Sequence, residues 1–580
     1  MRERSAAAGS SIISPLTRRR LRWIARTWGW AVFLLFVGFA FRIGPPVSPE
    51  GPGSEQIVQR AMLAGAAIGL VIAWRWEGLG GLLLTTAAII LGVAAAVGLP
   101  PLTALVVTIL FIVPGLALLT LWSTRHGWIV VTATAVTVVA GLAVGGVSAQ
   151  RIYDYYFGPA HPESQLAALP PSLVEWAWSG ALTATSIRVN AKVAEEGATA
   201  RLAVAPAEAP DFGGAVWSEL QVATADRGWV VAFEATGLEP DTAYRYAVEV
   251  DGELDRVRSG RFTTPPPAGT PFSFSVALGS CARVGSNGAV YDTIRELDPL
   301  LFLALGDFHY ANIESNDRDQ FRSTLDETLT APAQSALYLT TPIGYIWDDH
   351  DFGGNNSSAG SNSAPAAQAT YREYVPSYPL EASDGAIYQA FTVGRVRFIL
   401  TDSRSNREGD TMLGAAQLAW LKGELLAARD THALTVWASS VPWIGSASGG
   451  ADDWAGYAEE RADLANFIAE HDLAGQLVMV AGDAHMLAID DGTNSDYSDS
   501  GDAGFPVLQA AALDRPGSVK GGPYSEGTYP GAGQFALMTI EDSGDRLRVS
   551  WQGYDWELTE IVSLRMSFGG STAERAGGGG

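Results

Sequence analysis

Residues 301–310, LFLALGDFHY, decide the fold of the larger part of this 580-residue chain: a short apolar run ends in Gly-Asp and continues into aromatic and polar residues. Three further runs have the same form, namely FSFSVAL (272–278) before GSC, IGYIW (343–347) before DDHD, and QLVMVA (476–481) before GDAH. Such runs are typical of strands buried on both faces. Since open α/β sheets bind ligands at the carboxyl ends of their strands, the four patterns predict one shared site.

The residues that follow these runs are of the types that bind metal ions. They include the chain's single cysteine, Cys281, and three of its seven histidines, His309, His350 and His485, with aspartates beside them. One Gly-Asp after a strand is more often a turn, and a free cysteine is often a small buried hydrophobe. Four strand ends of this kind favour a metal centre, with Cys281 as a ligand.

The motifs GSC, LGDFHY, WDDHDFGGNN, FILTDSRSNR, LGAAQLAWL and GDAHMLAID occur in the order that resembles the PhoD-type alkaline phosphatases and phosphodiesterases, a branch of the calcineurin-like metallophosphatases. The resemblance covers residues 270–556, about half the chain. It implies an α/β domain over 268–560, in which two sheets form a β-sandwich flanked by helices. It also implies hydrolysis of phosphomonoesters or phosphodiesters by a metal-bound hydroxide.

The resemblance also implies which residues bind the metals. Cys281 is a ligand, Asp307 bridges two ions, and Tyr310 supplies a phenolate to the harder ion. Asp349 falls where the superfamily has an asparagine ligand, and Asp348 is the alternative if the register shifts by one residue. The remaining implied ligands are Asn355, with Asn356 as the second choice, Asp483 and His485.

The metal identities and the catalytic residues follow from the same resemblance. A thiolate and a phenolate suit a trivalent ion, so the implied centre is dinuclear, Fe³⁺ with Ca²⁺, with zinc or manganese as alternatives. His350 is predicted to protonate the leaving oxygen or to neutralise the phosphoryl charge. Arg404 and Arg407 are predicted to bind phosphate oxygens. An ion pair of Arg404 with Asp402 is the equally weighted alternative.

The first quarter of the chain differs in charge from the rest. Residues 1–150 contain 11 Arg and no Lys against 4 Glu, a balance of +7, whereas the whole chain carries −24 and the remainder therefore −31. This distribution argues against a nucleic-acid scaffold. Five apolar stretches, most of them long enough to cross a bilayer, predict an α-helical transmembrane bundle; they lie at 24–41, 61–74, 79–99, 102–122 and 128–149.

The arginines between these stretches predict a cytoplasmic amino terminus, so five spans place everything after residue 150 outside the cytoplasm. The sequence thus predicts a multi-pass protein of the cell membrane, held in the lipid bilayer by its amino-terminal helices. A linker follows over 151–168. Short alternating segments over 169–265 then include GLEPDTAYRYAVEV (237–250), which resembles a fibronectin type III-like β-sandwich. Residues 561–580 are predicted to form a terminal strand and a disordered tail.

Together these features predict a membrane-anchored extracytoplasmic phosphatase that hydrolyses phosphate monoesters, diesters or both. The alternative is a membrane receptor or assembly protein whose phosphatase-like domain binds a ligand without turnover. A degenerate domain of that kind is expected to have lost one of Cys281, Asp307, His350 and His485. All four are present, which favours the enzyme.

Overall fold

The computed structural model describes residues 14–42, 64–98, 101–124, 162–382, 385–510 and 512–569, together with a few residues between 132 and 142. The chain divides into two compact units, Met1–Tyr156 and Phe157–Gly580. The predicted tail and most of the predicted linker lie outside the described residues.

The described part of the amino-terminal unit is helical. Its main helices are α1 (Pro15–Arg42), α2 (64–72), α3 (Glu77–Gly98) and α4 (Pro101–Ser123). Leu70, Leu84 and Leu118 are buried together between them. The helices pack closely, because a Cβ on Gly80 would lie only 2.5 Å from backbone atoms of Ala73.

Within the described residues, no helix combines the length and the apolar character that a bilayer crossing requires. This finding overturns the predicted transmembrane bundle, the predicted multi-pass membrane localisation and the extracytoplasmic side that was inferred from it, and it gives no support to the bilayer as a partner. The prediction rested on the apolar character of the stretches alone. The stretches 79–99 and 102–122 overlap α3 and α4, the stretch 61–74 includes α2, and 128–149 lies largely outside the described residues. Helix α1 also begins with many cations, namely Arg18, Arg19, Arg20, Arg22 and Arg26.

The carboxy-terminal unit contains 22 strands among its described residues. In chain order they are β1 (Val174–Gly180), β2 (Ser186–Val193), β3 (Thr199–Pro206), β4 (Val216–Trp217), β5 (Gln221–Val222), β6 (Val230–Thr236), β7 (Ala243–Val250), β8 (Glu253–Leu254), β9 (Gly260–Thr263), β10 (Phe274–Gly279), β11 (Leu301–Leu305), β12 (Ile343–Ile346), β13 (Gln389–Val393), β14 (Val396–Leu400), β15 (Leu434–Ser439), β16 (Leu477–Ala481), β17 (Met486–Asp490), β18 (Val507–Gln509), β19 (Thr528–Pro530), β20 (Gln534–Asp542), β21 (Leu547–Asp555) and β22 (Glu560–Phe568).

The α-helices of this unit all follow β9 in the chain. They are α5 (Ala289–Glu296), α6 (Arg318–Thr330), α7 (Pro332–Thr340), α8 (Asp349–Phe352), α9 (Ala364–Tyr374), α10 (Gly414–Thr431) and α11 (Ala458–Glu470). Short 3₁₀ turns complete the described elements at Pro210–Phe212, Ala225–Arg227, Trp454–Tyr457 and Ala474–Gln476.

Two large sheets carry the strands predicted from sequence. The first has the order β22-β21-β20-β10-β11-β12-β1-β2-β6, and the second β13-β14-β15-β16-β18-β17-β19. Strands β10, β11 and β12 run parallel, as do β14, β15, β16 and β18. The apolar runs that precede the four motifs form β10, β11, β12 and β16, and these strands are buried almost throughout.

The core lies between the two large sheets, with helices on their outer faces. Val276 and Leu303 of the first sheet share one buried apolar cluster with Val436 and Val478 of the second. Because β10 to β12 and β14 to β16 are parallel, their carboxyl ends lie at one edge of each sheet. The residues that follow these strands are therefore brought together.

The strands of residues 169–265 are divided between two sheets. Strands β1, β2 and β6 extend the nine-stranded sheet, since Gly180 of β1 pairs in parallel with Ile343 of β12. Strands β3, β4, β5, β7, β8 and β9 form a third sheet. The hydroxyl of Tyr244 accepts a 2.8 Å hydrogen bond from the backbone N–H of Glu239. The fibronectin type III-like assignment and a boundary near 265 stay predictions.

Candidate metal centre

Four of the predicted ligands have left-handed backbone conformations. The φ angles are +62° at Cys281, +53° at Asp307, +66° at Asp483 and +51° at His485. Positive φ is uncommon in residues other than glycine, and such strain is concentrated at functional sites. Each of these residues follows a parallel strand, so the turn that ends the strand also aims the side chain.

The glycines in the Gly-Asp motifs let the strand ends approach one another. A Cβ on Gly306 would lie 2.6 Å from Cβ of Asp348, and a Cβ on Gly482 would lie 2.1 Å from the carbonyl oxygen of Leu305. Neither distance is compatible with a side chain. The glycine that precedes Asp307 and the one that precedes Asp483 are therefore required for the site to close.

The first group of ligand atoms surrounds the phenol of Tyr310. Its hydroxyl lies 2.5 Å from Oδ2 of Asp307 and 2.7 Å from Nε2 of His485, and Sγ of Cys281 lies 3.7 Å from the same Asp307 oxygen. Nδ1 of His485 lies 2.8 Å from the carbonyl oxygen of Pro516, which makes Nδ1 the protonated nitrogen and leaves Nε2 as an acceptor. One phenol proton cannot satisfy both acceptors, so this group suits a cation.

Asp307 belongs to every group of potential ligands in the described residues. Ligand atoms within 4.8 Å of one another come from three sets, which are Cys281, Asp307 and His485; Asp307, Asp349 and His350; and Asp307, Asp348 and Asp483. A carboxylate shared in this way is a candidate for a bridging ligand, and the bridging role stays a prediction.

The carboxylates on the second side contain unpaired oxygens. Oδ1 of Asp348 accepts hydrogen bonds from Arg404 Nε at 2.6 Å and from Ser440 Oγ at 2.8 Å. Oδ2 of Asp348 and Oδ2 of Asp483 are buried and have no hydrogen-bond partner. Because buried carboxylate oxygens without donors are costly, these two atoms fit coordination to a metal ion. Soft ligands on one side and carboxylates on the other fit a pair of unlike ions.

Comparison with known proteins agrees with this geometry. Residues 276–512 match the family model of the PhoD-like phosphatases. This part of the chain is thus similar to a PhoD-like phosphatase domain. The similarity supports a hydrolase that acts on phosphoric ester bonds, and PhoD-like phosphatases depend on metal ions. Residues 14–129 match a second family model, described as a domain of unknown function (DUF7670).

Individual relatives are similar at lower levels. Alkaline phosphatase D of Bacillus subtilis (strain 168) is 26% identical over 314 residues, which cover 44% of this chain and 53% of that protein. The chain thus spans about half the length of this curated relative. A solved structure described as the structure of PhoD matches with a TM-score of 0.55 and 18% identity, covering 70% of this chain and 90% of that one. This second likeness concerns the fold alone.

Burial is the main cause of the pKa shifts in the PhoD-like site, and neighbouring charges add to it. Burial raises the pKa of Asp307 well above its usual range, and the neighbouring carboxylates Asp349 and Asp348 raise it further. Burial, followed by Asp307 and Asp483, likewise raises the pKa of the Cys281 thiol. Burial lowers the pKa of His485 to about 3, so its imidazole is neutral and able to act as a ligand.

His350 lies beside the cluster in the half-buried position expected of a residue that meets substrate. Its ring centroid is 4.0 Å from that of Tyr310, and its Nε2 is 4.0 Å from Oδ1 of Asp349. Nδ1 is hydrogen-bonded to the side-chain oxygen of Asn312. His309, in contrast, is buried, belongs to none of the ligand groups, and has a pKa lowered by burial to about 4.

The predicted ligand Asn355 is exposed. Its side-chain nitrogen donates to the side-chain oxygen of Asn356 at 3.0 Å. The backbone N–H of Asn356 donates to Oδ2 of Asp349 at 2.5 Å. This segment therefore orients Asp349 through the backbone, and Asp349 is held from both sides because its Oδ1 accepts from the N–H of His350 at 2.9 Å.

Arg404 and Arg407 are engaged by carboxylates. Arg404 is fully buried; its Nε donates to Asp348, and its two Nη atoms donate to Asp452 at 2.9 and 3.1 Å. Arg407 pairs with Asp452 at 2.5 Å and donates to the hydroxyl of Tyr457. The alternative pairing of Arg404 with Asp402 is limited to the backbone N–H, 2.9 Å from Oδ1 of Asp402.

Two cations of the PhoD-like site were not singled out from sequence. Nζ of Lys520 donates to Oδ1 of Asp483 at 2.6 Å, and Cζ of Arg515 lies 3.9 Å from the ring centroid of Tyr310. Both lie in the segment DRPGSVK (514–520) between β18 and β19. The sequence contained one sign of these cations. The chain has only three lysines, and one of them, Lys520, lies in the same short segment as Arg515.

Proposed function

We propose that this protein hydrolyses phosphate monoesters, diesters or both at a dinuclear metal centre built around Asp307. The observation that carries the proposal is the position of Asp307, which is shared by all three groups of ligand atoms at the ends of β10, β11, β12 and β16. Metal ions held by these residues would supply polarisation of the phosphoryl oxygens and activation of a water molecule for in-line attack.

The residues of this chain would divide between the two ions. Cys281, Tyr310 and His485 lie on one side of Asp307 and supply soft or charge-rich donors that suit Fe³⁺. Carboxylates lie on the other side and suit Ca²⁺; they are Asp348, Asp349 and Asp483. Both aspartates of the WDDHD motif fall within ligand groups, so the choice between Asp348 and Asp349 is part of the proposal to be tested.

His350 is the candidate general acid. Its Nδ1 is taken up by Asn312, which leaves Nε2 to donate a proton or a hydrogen bond to the leaving oxygen. Arg404 acts as a positioning residue in this scheme, because its guanidinium joins Asp348 to Asp452 and is fully buried.

Residues 169–265 are proposed to form a fibronectin type III-like module that supports the phosphatase domain over 268–560. Two kinds of contact support this arrangement, namely strand pairing within the shared sheet and polar side-chain contacts. Nζ of Lys192 pairs with Asp326 at 2.7 Å, and Nε1 of Trp176 donates to the same carboxylate at 2.8 Å. The side-chain amide of Asn190 donates to the backbone oxygen of Tyr374 at 3.0 Å.

The test uses the purified full chain, loaded in turn with Fe³⁺ and Ca²⁺, with zinc and with manganese. Release of nitrophenol from nitrophenyl phosphate and from its bis ester is measured, with metal content determined on the same samples. We expect hydrolysis in the Fe³⁺ and Ca²⁺ sample, together with a visible absorption band that Cys281→Ala or Tyr310→Phe shifts or abolishes. A metal-loaded protein that hydrolyses neither ester would refute the proposal, and an active colourless zinc form would refute only the choice of metals.

A further inference from the structure

The segment 514–520 is fastened on both sides of Arg515 to the strand ends that carry the metal ligands. Before it, Oδ1 of Asp514 accepts a 2.6 Å hydrogen bond from the backbone N–H of Arg283, two residues after Cys281. After it, the carbonyl oxygen of Pro516 accepts from Nδ1 of His485 at 2.8 Å. The backbone of Arg515 is therefore fixed relative to the centre.

The same fastening continues along the segment. The N–H of Ser518 donates to the carbonyl oxygen of His485 at 3.1 Å, and its hydroxyl donates to the carbonyl oxygen of Ala484 at 3.1 Å. A side chain that projects from this segment is thus preorganised by contacts made elsewhere, which reduces the entropy lost when it binds a ligand.

The Arg515 side chain itself is directed at the centre but has no anionic partner there. Its Cζ lies 3.9 Å from the ring centroid of Tyr310, and its Nε is buried without a hydrogen-bond partner. No hydrogen bond or ion pair of its guanidinium occurs among the described residues. A stacked guanidinium keeps its planar row of N–H donors free for an oxyanion.

The other cations around the centre are already paired. Arg404 and Arg407 are bound to Asp452, and Lys520 is bound to Asp483. Arg515 differs from them because, among the described residues, no carboxylate is paired with its guanidinium.

We propose that Arg515 is the substrate-binding residue that holds the non-bridging oxygens of the phosphoryl group next to the dinuclear centre. This inference rests on the proposed function and adds to it the group that recognises the anion. The guanidinium stacks on the ring of Tyr310, and the hydroxyl of the same residue faces Asp307 and His485. Phosphate is thus bound between the metal ligands and a fixed guanidinium fork.

The experiment measures binding of inorganic phosphate to the metal-loaded full chain by calorimetry, for the wild type, Arg515→Ala and Arg515→Lys. Loss of a charge-assisted hydrogen bond is expected to raise the Kd for phosphate in Arg515→Ala by about ten- to a hundredfold, with unchanged metal content. Arg515→Lys is expected to recover part of the loss, because it restores the charge but not the fork. In turnover assays the change is expected mainly in KM.

Arg245→Ala is the matched control. Arg245 also stacks on an aromatic ring, with Cζ 4.5 Å from the centroid of Phe212, and its Nε is likewise buried without a partner, but it lies on β7. Its replacement is expected to leave phosphate binding unchanged. Both samples are compared by thermal unfolding to show that they are folded.

Two outcomes would overturn the inference. One is a Kd for phosphate in Arg515→Ala equal to that of the wild type, and the other is loss of the metals from that variant, which would make Arg515 a support of the centre. The proposed function fails separately: a wild-type protein that binds phosphate through Arg515 but hydrolyses neither ester refutes turnover and leaves the binding role intact.

Discussion

The phenol of Tyr310 and the carboxylate of Asp307 lie 2.5 Å apart, oxygen to oxygen, and the two residues are three positions apart in the chain. This contact depends on the positive φ of Asp307, which turns the chain back towards the end of β11. Because Asp307 also belongs to each of the other ligand groups, a change at this one carboxylate acts on the whole centre.

Asp307→Ala is expected to remove a ligand from both ions at once. Metal content and phosphatase activity should therefore fall together, to the level of chelator-treated protein. Metal analysis and nitrophenyl phosphate hydrolysis of the same preparation check this. Retention of two ions per chain in Asp307→Ala would contradict the bridging role.

His350→Ala is expected to lose activity but to keep its metal ions. Loss of a general acid lowers kcat by roughly a hundredfold or more, whereas the metal content should stay near that of the wild type. Because His350 lies within one ligand group with Asp307 and Asp349, metal stoichiometry is the decisive measurement. An emptied centre in this variant would make His350 a ligand.

Arg404→Ala is expected to destabilise the fold strongly. Removing one partner of a buried ion pair leaves uncompensated charge at Asp348 and Asp452, which typically costs about 3–5 kcal/mol of the free energy of unfolding. Urea denaturation measures the loss. The control is Arg256→Ala, which breaks an exposed pair with Asp211 and should change stability little.

The stabilisation given by the metals is expected to grow as the pH rises. Burial raises the pKa of Asp307, Asp348 and Asp483 above the value of an unfolded chain. Without metals, the folded state therefore loses stability as the pH rises from about 4 through these pKa values. Bound cations remove that cost.

The measurement is the difference in Tm between metal-loaded and EDTA-treated protein from pH 5 to pH 8. Taking the difference cancels the contributions that titratable groups outside the centre make to the pH dependence of Tm. The gap should widen steadily with pH, and a gap that is constant or narrows would show that the buried carboxylates do not govern the stability of the metal-free protein.

Gly482→Ala is expected to disrupt the centre without touching a ligand. The added Cβ would lie 2.1 Å from the carbonyl oxygen of Leu305, so the end of β16 must shift away from that of β11. Lower Tm and lower metal content should result. In Gly423→Ala, within α10, nothing lies within 4 Å of the new Cβ, and stability should instead rise by roughly 0.5–1 kcal/mol.

Most of the candidate centre was predictable because it is local in sequence. A buried parallel strand followed by glycine and a ligand is visible in LFLALGDFHY and in QLVMVAGDAH, and the carboxyl ends of such strands meet. Cys281, Asp307 and His485 were predicted as ligands, and the structure brings them into one group of potential ligands. The parallel strands β10, β11, β12 and β16 follow from the same runs.

Other features depend on contacts that the sequence does not display. The partner of Arg404, Asp452, lies 48 residues further along the chain, so this ion pair is not visible in the sequence. Nor does the sequence indicate that the side-chain nitrogen of Asn355, a predicted ligand, donates to Asn356. Arg515 was overlooked because its contact with Tyr310 forms only in the folded chain. The transmembrane prediction was wrong because it rested on hydropathy alone, whereas no described helix meets the requirements of a bilayer crossing.

The left-handed backbone at Cys281, Asp307, Asp483 and His485 also bears on how such centres can be found and built. Copying the four side chains onto an idealised scaffold would fail, since a designed loop with ordinary dihedrals aims them elsewhere. Conversely, non-glycine residues with positive φ directly after neighbouring parallel strands form a pattern that is visible in the three-dimensional structure but not in the amino-acid sequence. A search for that pattern could recognise dinuclear hydrolases whose sequences have diverged beyond alignment.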